Sequence, residues 1–133
     1  MSQDAPTFYP GLFYRDAQAA IDWLERAFGF RRMVAYPGPD GTIAHAEMSF
    51  GSGVIMLGTA KADQGLLSPR DLNGTSQGVY AFVEDVDAHY ARAKAAGAEI
   101  TRDLADTDHG SREYSAKDPE GHHWHFGTYR PAS

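Results

Sequence analysis

The feature that most constrains this chain is an internal repeat. In the first copy, FYPGLFY (8–14) has the aromatic, short character of a strand and ends at the polar pair Arg15-Asp16. Asp16 is then placed to cap a helix through AQAAIDWLERAFG, in which Ala20, Trp23, Leu24 and Ala27 recur at helical spacing and Gly29 supplies the stop. FRRMVAYP reads as a strand, PGPDG (37–41) as a turn, and TIAHAEMSF and VIML as two strands around GSG. The second copy follows the same order. GVYAFVE (78–84) is a strand, Asp85 caps VDAHYARAKAAG, and Gly97 ends it. AEITRD and REYSAKD are strands around the loop ADTDHGS, and DPEG turns into HHWHFGTY. Asp85 lies 69 residues after Asp16, Gly97 lies 68 after Gly29, and Gly121 lies 68 after Gly53. Agreement in both order and spacing predicts an α+β fold of two tandem βαβββ modules, residues 5–58 and 78–130. The stretch 59–77, TAKADQGLLSPRDLNGTSQ, has the Gly, Pro, Asp and Asn content of an exposed linker and the length of a lid.

At 133 residues the two modules form one domain, and 42% hydrophobic content is enough for them to share a core. The absence of cysteine excludes disulfides, thiolate metal ligands and cysteine nucleophiles. A net charge of −6 with no basic cluster argues against nucleic acid as the main partner. MSQDAPTFYPG carries no basic segment leading into an apolar run, and no window could span a bilayer, so a cytoplasmic protein with a small-molecule or protein partner is expected. Ser49, Ser52 and Ser115 stand outside any G-x-S-x-G elbow, and GPDG and FGSG do not open a helix as phosphate loops do.

YRDAQAAIDWLERAFGF in the first module, and VEDVDAHYARAKAAGA and DPEGHHWHFG in the second, resemble the vicinal oxygen chelate superfamily. This superfamily holds glyoxalase I, extradiol dioxygenases, and bleomycin and other antibiotic resistance proteins. HAE followed by VEDVDA and DPEGHHW is closest to its PhnB-like branch. The resemblance implies curled mixed sheets around a cleft, and a homodimer. It also implies four ligand places in metal-using members, one early in each module's first strand and one in each last strand. Here those places fall at Tyr9, Gly78, Leu57 (Met56 after a one-residue slip) and His125. Only His125 is a good ligand, so the usual metal site is expected to be absent.

Strand alternation then sorts the HHWH run. His123 and His125 share one face and point into the cleft, whereas His122, Trp124 and Phe126 share the core face. HAE offers His45 and Glu47 with the same spacing. A displaced site of His45, Glu47, His123 and His125 would suit Zn, Ni, Mn or Fe(II). The preferred reading makes these four residues polar pocket walls. Tyr9, Phe13, Tyr80 and Phe82 fall on the cleft side of the opening strands and suit a flat or apolar ligand. Arg112 is expected in a surface pair with Glu113 or Asp118, His109 in an ordinary loop, and His89 on a helix surface. Trp23 is expected in the core or at a dimer contact.

Two functions follow. In the first, the chain binds a small aromatic or amphipathic molecule without a metal or other cofactor, for sequestration or resistance. In the alternative, it is a metal-dependent glyoxalase-like lyase or isomerase, or a dioxygenase, whose catalytic residues the sequence does not name. A His125/Glu47 acid–base pair working without metal is a further possibility that no spacing supports.

Overall fold

A computed structural model describes residues 5–131. Asp16 caps as its position predicts: its carboxylate accepts the Ala19 amide at 3.0 Å, and helix α1 (Ala17–Phe28) begins behind it. Gly29 closes α1 at φ +80°, a left-handed backbone that suits a residue without Cβ. The second module repeats the device, with the Asp85 carboxylate accepting the Ala88 amide ahead of α2 (Val86–Ala95). Around α1 lie strands β1 (Gly11–Tyr14), β2 (Arg31–Pro37), β3 (Ile43–Phe50) and β4 (Gly53–Thr59). Around α2 lie β5 (Gly78–Phe82), β6 (Glu99–Asp106), β7 (Arg112–Lys117) and β8 (His123–Gly127).

Each module builds its own four-stranded mixed sheet, in the order β1-β4-β3-β2 and β5-β8-β7-β6. The edge strands β1 and β5 pair in parallel with β4 and β8, and the remaining pairs are antiparallel. The tandem βαβββ architecture is therefore present. β1 is shorter than the predicted 8–14 stretch, because its ladder to β4 runs only from Gly11 to Tyr14. β6 is longer than AEITRD and extends to Asp106. Among the described residues no helix is long and apolar enough to cross a membrane.

The sheets and helices share one core. Ala20, Trp23, Leu24 and Ala27 are all buried, as their spacing predicts, and Trp23 Nε1–H donates to the Ala96 carbonyl at 3.3 Å. Trp23 is thus a core residue. Phe28 reaches across the modules to Phe126 (centroids 4.7 Å apart) and Trp124 (5.5 Å), and Phe30 packs edge-on against Trp124.

His89 corrects the sequence reading. It is buried between the helices, with Nδ1 2.6 Å from the Tyr114 hydroxyl and Nε2 2.8 Å from the Phe28 carbonyl. The carbonyl can only accept, so Nε2 carries the proton and Nδ1 accepts from Tyr114. Burial holds His89 below the usual imidazole pKa, which favours that neutral form. Spacing misplaces His89 because α2 is short and rich in alanine, with no strong apolar stripe to orient it.

A second polar joint ties the modules together at the DPEG turn. Asp118 is buried and accepts the Tyr14 hydroxyl at 2.6 Å, the Trp124 indole at 3.1 Å, and the Glu120 and His122 amides. Glu120 accepts the Arg15 amide (2.6 Å), the Asp16 amide (2.9 Å) and the Ser68 hydroxyl (2.6 Å). Burial alone would raise its pKa. The Ser68, Asp16 and Arg15 donors, with the Arg70 charge, outweigh that and bring it below the ordinary glutamate value. The linker is therefore not wholly exposed: Ser68 is fully buried and Pro69 is buried beside it. Arg15 also pairs with Asp71.

Candidate functional site

Side chains alternate across each sheet. In the first module Leu12, Tyr14, Ala46, Met48, Ile55 and Leu57 face the helices and are buried. Leu57, expected at a cleft-facing ligand place, is therefore a core residue, 3% exposed and paired with Leu12 and Ala46. The open face instead presents Met56, whose neighbours in the ladder are Gly11 and Glu47. The cause is the two-residue period of a strand: an error of one position reverses the side chain.

The predicted polar residues occupy the open faces of two different sheets. On the first, His45 Nε2 lies 2.9 Å from Glu47 Oε2, and the imidazole stacks beside Tyr36 at a centroid distance of 6.4 Å. On the second, His123 and His125 alternate with the buried Trp124 and Phe126, as expected. His122 departs from expectation. It precedes β8, and its Nε2–H donates to the Phe13 carbonyl at 2.9 Å while its ring meets Tyr14 edge-on.

His125 is held on two sides. Its Nδ1 is 2.7 Å from the Ser115 hydroxyl, and its ring leans over Gly78 so closely that a Cβ there would sit 3.0 Å from Nε2. Burial, reinforced by the His123 and Arg102 charges, lowers the pKa of His125 and keeps it neutral near pH 7. With Nδ1 engaged by Ser115, Nε2 is the nitrogen left for a ligand. Tyr80 lies next to His125 in the ladder, and its hydroxyl donates to the Tyr129 carbonyl at 2.6 Å. Arg112 pairs with Asp87 (2.7 Å) and Asp106 (3.2 Å) rather than with Glu113 or Asp118, because β7 faces the start of α2 and the end of β6. His109 lies 3.6 Å from Glu113, and its ring meets Tyr129 edge-on at a centroid distance of 5.8 Å.

Each sheet ends at the seam between β1 and β5. Among the described residues no backbone hydrogen bond joins those two strands. Two pockets open along the seam. One, of ≈ 390 Å³, lies between Phe13, Gly78 and His123 and is flanked by Leu66, Leu67 and Leu72 of the linker. The other, of ≈ 370 Å³, lies at the far end among Phe8, Phe30, Phe50, Tyr80 and Phe82. Both fall within the volume range of small-molecule sites, about 300–1,000 Å³. The seam thus collects Phe13, Tyr80, Phe82 and His123. Tyr9 is exposed just before β1 and lines neither pocket.

The sequence profile of the glyoxalase/bleomycin resistance protein/dioxygenase superfamily matches residues 8–126. The chain belongs to that superfamily. An uncharacterised protein of Mycobacterium bovis is 35% identical over 125 residues, covering 92% of this chain and 82% of the relative. The crystal structure of TioX from Micromonospora sp. ML1 superposes with a TM-score of 0.76 at 36% identity, covering 95% of this chain and all of that one. The fosfomycin resistance protein FosX from Mesorhizobium loti shares the fold, with a TM-score of 0.69 at 14% identity over 98% of this chain and 95% of its own.

The ligand places implied by the resemblance fall at Tyr9, Gly78, Leu57 and His125, and since Leu57 is in the core, the one-residue slip to Met56 is the alternative on the open face of β4. One imidazole, one exposed phenol and a thioether do not fit a hard or borderline divalent ion. The displaced set is not assembled within one chain either. His45 and Glu47 stand on β3, and His123 and His125 on β8. Among the described residues no three His, Asp or Glu side chains gather as a metal-holding group. Sequence reasoning missed Ser115 as the partner of His125, although their positions on neighbouring strands of one hairpin offered a signal. It also missed Asp118 and Glu120. The turn composition of DPEG gave no hint that both carboxylates point into the other module.

Proposed function

We propose that the protein binds a small aromatic or amphipathic molecule at the β1–β5 seam and holds it noncovalently, without a metal, as a sequestering or resistance-type binder. The observation that carries this reading is the seam itself: two pockets of small-molecule size, the far one walled mainly by aromatic and apolar side chains, the one beside the linker adding Thr75, Ser76, Gln77, His122 and His123 to its apolar wall. Phe13, Tyr80 and Phe82 supply area and ring faces. His123 supplies a hydrogen-bonding edge at one pocket; His125 lines neither pocket, and its Nε2 adjoins the first only across Gly78. The neutral state of His125 suits a ligand hydroxyl, carbonyl or ring nitrogen. We also propose that the chain works as a homodimer. Met33 and Tyr36 on β2 are 49% and 57% exposed, as interface residues of a free protomer would be.

Elemental analysis of the purified, tag-free protein, repeated after titration with Zn, Ni, Mn and Fe(II), tests the metal-free reading. Thermal-shift and calorimetric screening of aromatic metabolites and antibiotics, with and without chelator, tests ligand binding. The expected result is a ligand-dependent rise in melting temperature that chelator leaves unchanged. One tightly held metal per chain, lost in His125→Ala, would overturn the reading and direct attention to lyase and dioxygenase assays. Sedimentation velocity tests the dimer, and a monomer at micromolar concentration refutes it.

A further inference from the structure

The pocket at the far end of the seam differs from its neighbour in one respect. Among the described residues that line it, Arg130 is the one charged side chain, in a chain of net charge −6. Its position is set by a ring. The guanidinium carbon lies 4.1 Å from the centroid of Phe82, within the range of a cation–π contact. The segment that carries Arg130 is itself pinned. The Tyr129 carbonyl accepts the Tyr80 hydroxyl, the Tyr129 amide donates to Ser111 Oγ at 3.0 Å, and the Thr128 amide donates to the Arg112 carbonyl at 3.1 Å. Arg15, Arg32 and Arg112 are paired with carboxylates. Among the described residues Arg130 has no such partner, and no acidic side chain lines the pocket.

A guanidinium stacked on a ring spends one face on that contact and leaves its in-plane N–H fork free. That fork matches a carboxylate bidentately. The rest of the pocket offers Phe8, 88% exposed, with Phe30, Phe50 and Phe82. We infer that this pocket is a seat for an aromatic carboxylate, with the ring body against Phe8, Phe50 and Phe82 and the carboxylate on Arg130. The inference rests on the reading of the seam as the ligand site and adds the chemical class of the ligand and the residue that selects it. A carboxamide can take a single hydrogen bond through its carbonyl but not the charged bidentate pair, so the difference between acid and amide reports the charge and fork of Arg130.

The test compares 2-naphthoate with 2-naphthamide by calorimetry on the full chain, with amide shifts at Ser52, Val54 and Ala81 followed by NMR. Wild-type protein is expected to bind the carboxylate at least about tenfold more tightly than the amide, the size of one charge-assisted hydrogen bond. Arg130→Gln, at an exposed position, is expected to abolish the difference by weakening carboxylate binding far more than amide binding, and Phe82→Ala to weaken both probes. Equal binding of the two probes to wild type, or a carboxylate preference that survives Arg130→Gln, overturns the inference while the seam reading stands. Shifts confined to Leu66, Leu67 and His123 do the same by placing the probe in the other pocket. No binding of either probe at millimolar concentration defeats both.

Discussion

Replacing Glu120 by alanine tests how the two modules are joined. The carboxylate is 6% exposed and accepts three donors: the amides of Arg15 and Asp16 at the mouth of α1, and the Ser68 hydroxyl of the linker. Truncation leaves two backbone N–H groups and a buried hydroxyl without their partner. Each unsatisfied buried donor costs about 1–3 kcal/mol, but water admitted to the vacated space recovers part of the loss. A net destabilisation of about 3–5 kcal/mol is expected, a large fraction of the roughly 5–15 kcal/mol that a domain of this size possesses. Urea denaturation followed by Trp fluorescence should show a lower midpoint with an unchanged slope. Acid adds a second readout with a definite sign. The folded pKa of Glu120 lies below its unfolded value, so its contribution is fully present above about pH 4.3 and is lost as pH falls through the folded pKa. Wild type and Glu120→Gln should therefore differ at pH 7 and converge in acid. A Glu120→Ala protein within 1 kcal/mol of wild type at pH 7 would refute the reasoning, because the three bonds would then contribute nothing net.

His89→Phe should lose about 1–3 kcal/mol, since the Phe28 carbonyl and the Tyr114 hydroxyl lose their buried partner. His89 has a depressed folded pKa, so the wild-type stability it contributes should be complete above about pH 6.5 and decline below it, a slope that equilibrium unfolding of His89→Phe should lack. Gly127→Ala should destabilise by about 1–3 kcal/mol in urea titration, because the new Cβ would run into Glu113 Cγ and sit 2.9 Å from the Tyr80 hydroxyl and 3.2 Å from the Arg112 carbonyl. Gly78→Ala should be milder in stability, within about 1 kcal/mol, but should turn the His125 ring aside and shift its imidazole NMR signals.

The modules were legible because their boundary signals are local. Asp16 and Asp85 each cap the helix that follows by accepting the amide three residues ahead, and glycines close the turns that separate the strands. Alternation also separated His123 and His125 from Trp124 and Phe126, because two large apolar residues identify the inward face. It failed at Leu57, where Met56 is equally apolar and only the ladder to Leu12 decides which side is inward. Glu120 and Asp118 escaped notice for a different reason. Their partners Arg15, Asp16 and Tyr14 lie more than a hundred residues away, and nothing local to a DPEG turn encodes a distant backbone amide.

The unpaired edges of β1 and β5 bear on how members of this superfamily can diverge. Where neighbouring strands share a ladder, the spacing between them is fixed by the hydrogen bond at about 4.8 Å. Across this seam no such bond operates, and the separation is set by the bulk of Phe8, Phe13, Phe30 and Tyr80 and by the contacts behind them. The width of the groove at this seam is thus a side-chain variable. Substitution at a few seam positions can widen or narrow it while both sheets keep every strand in register.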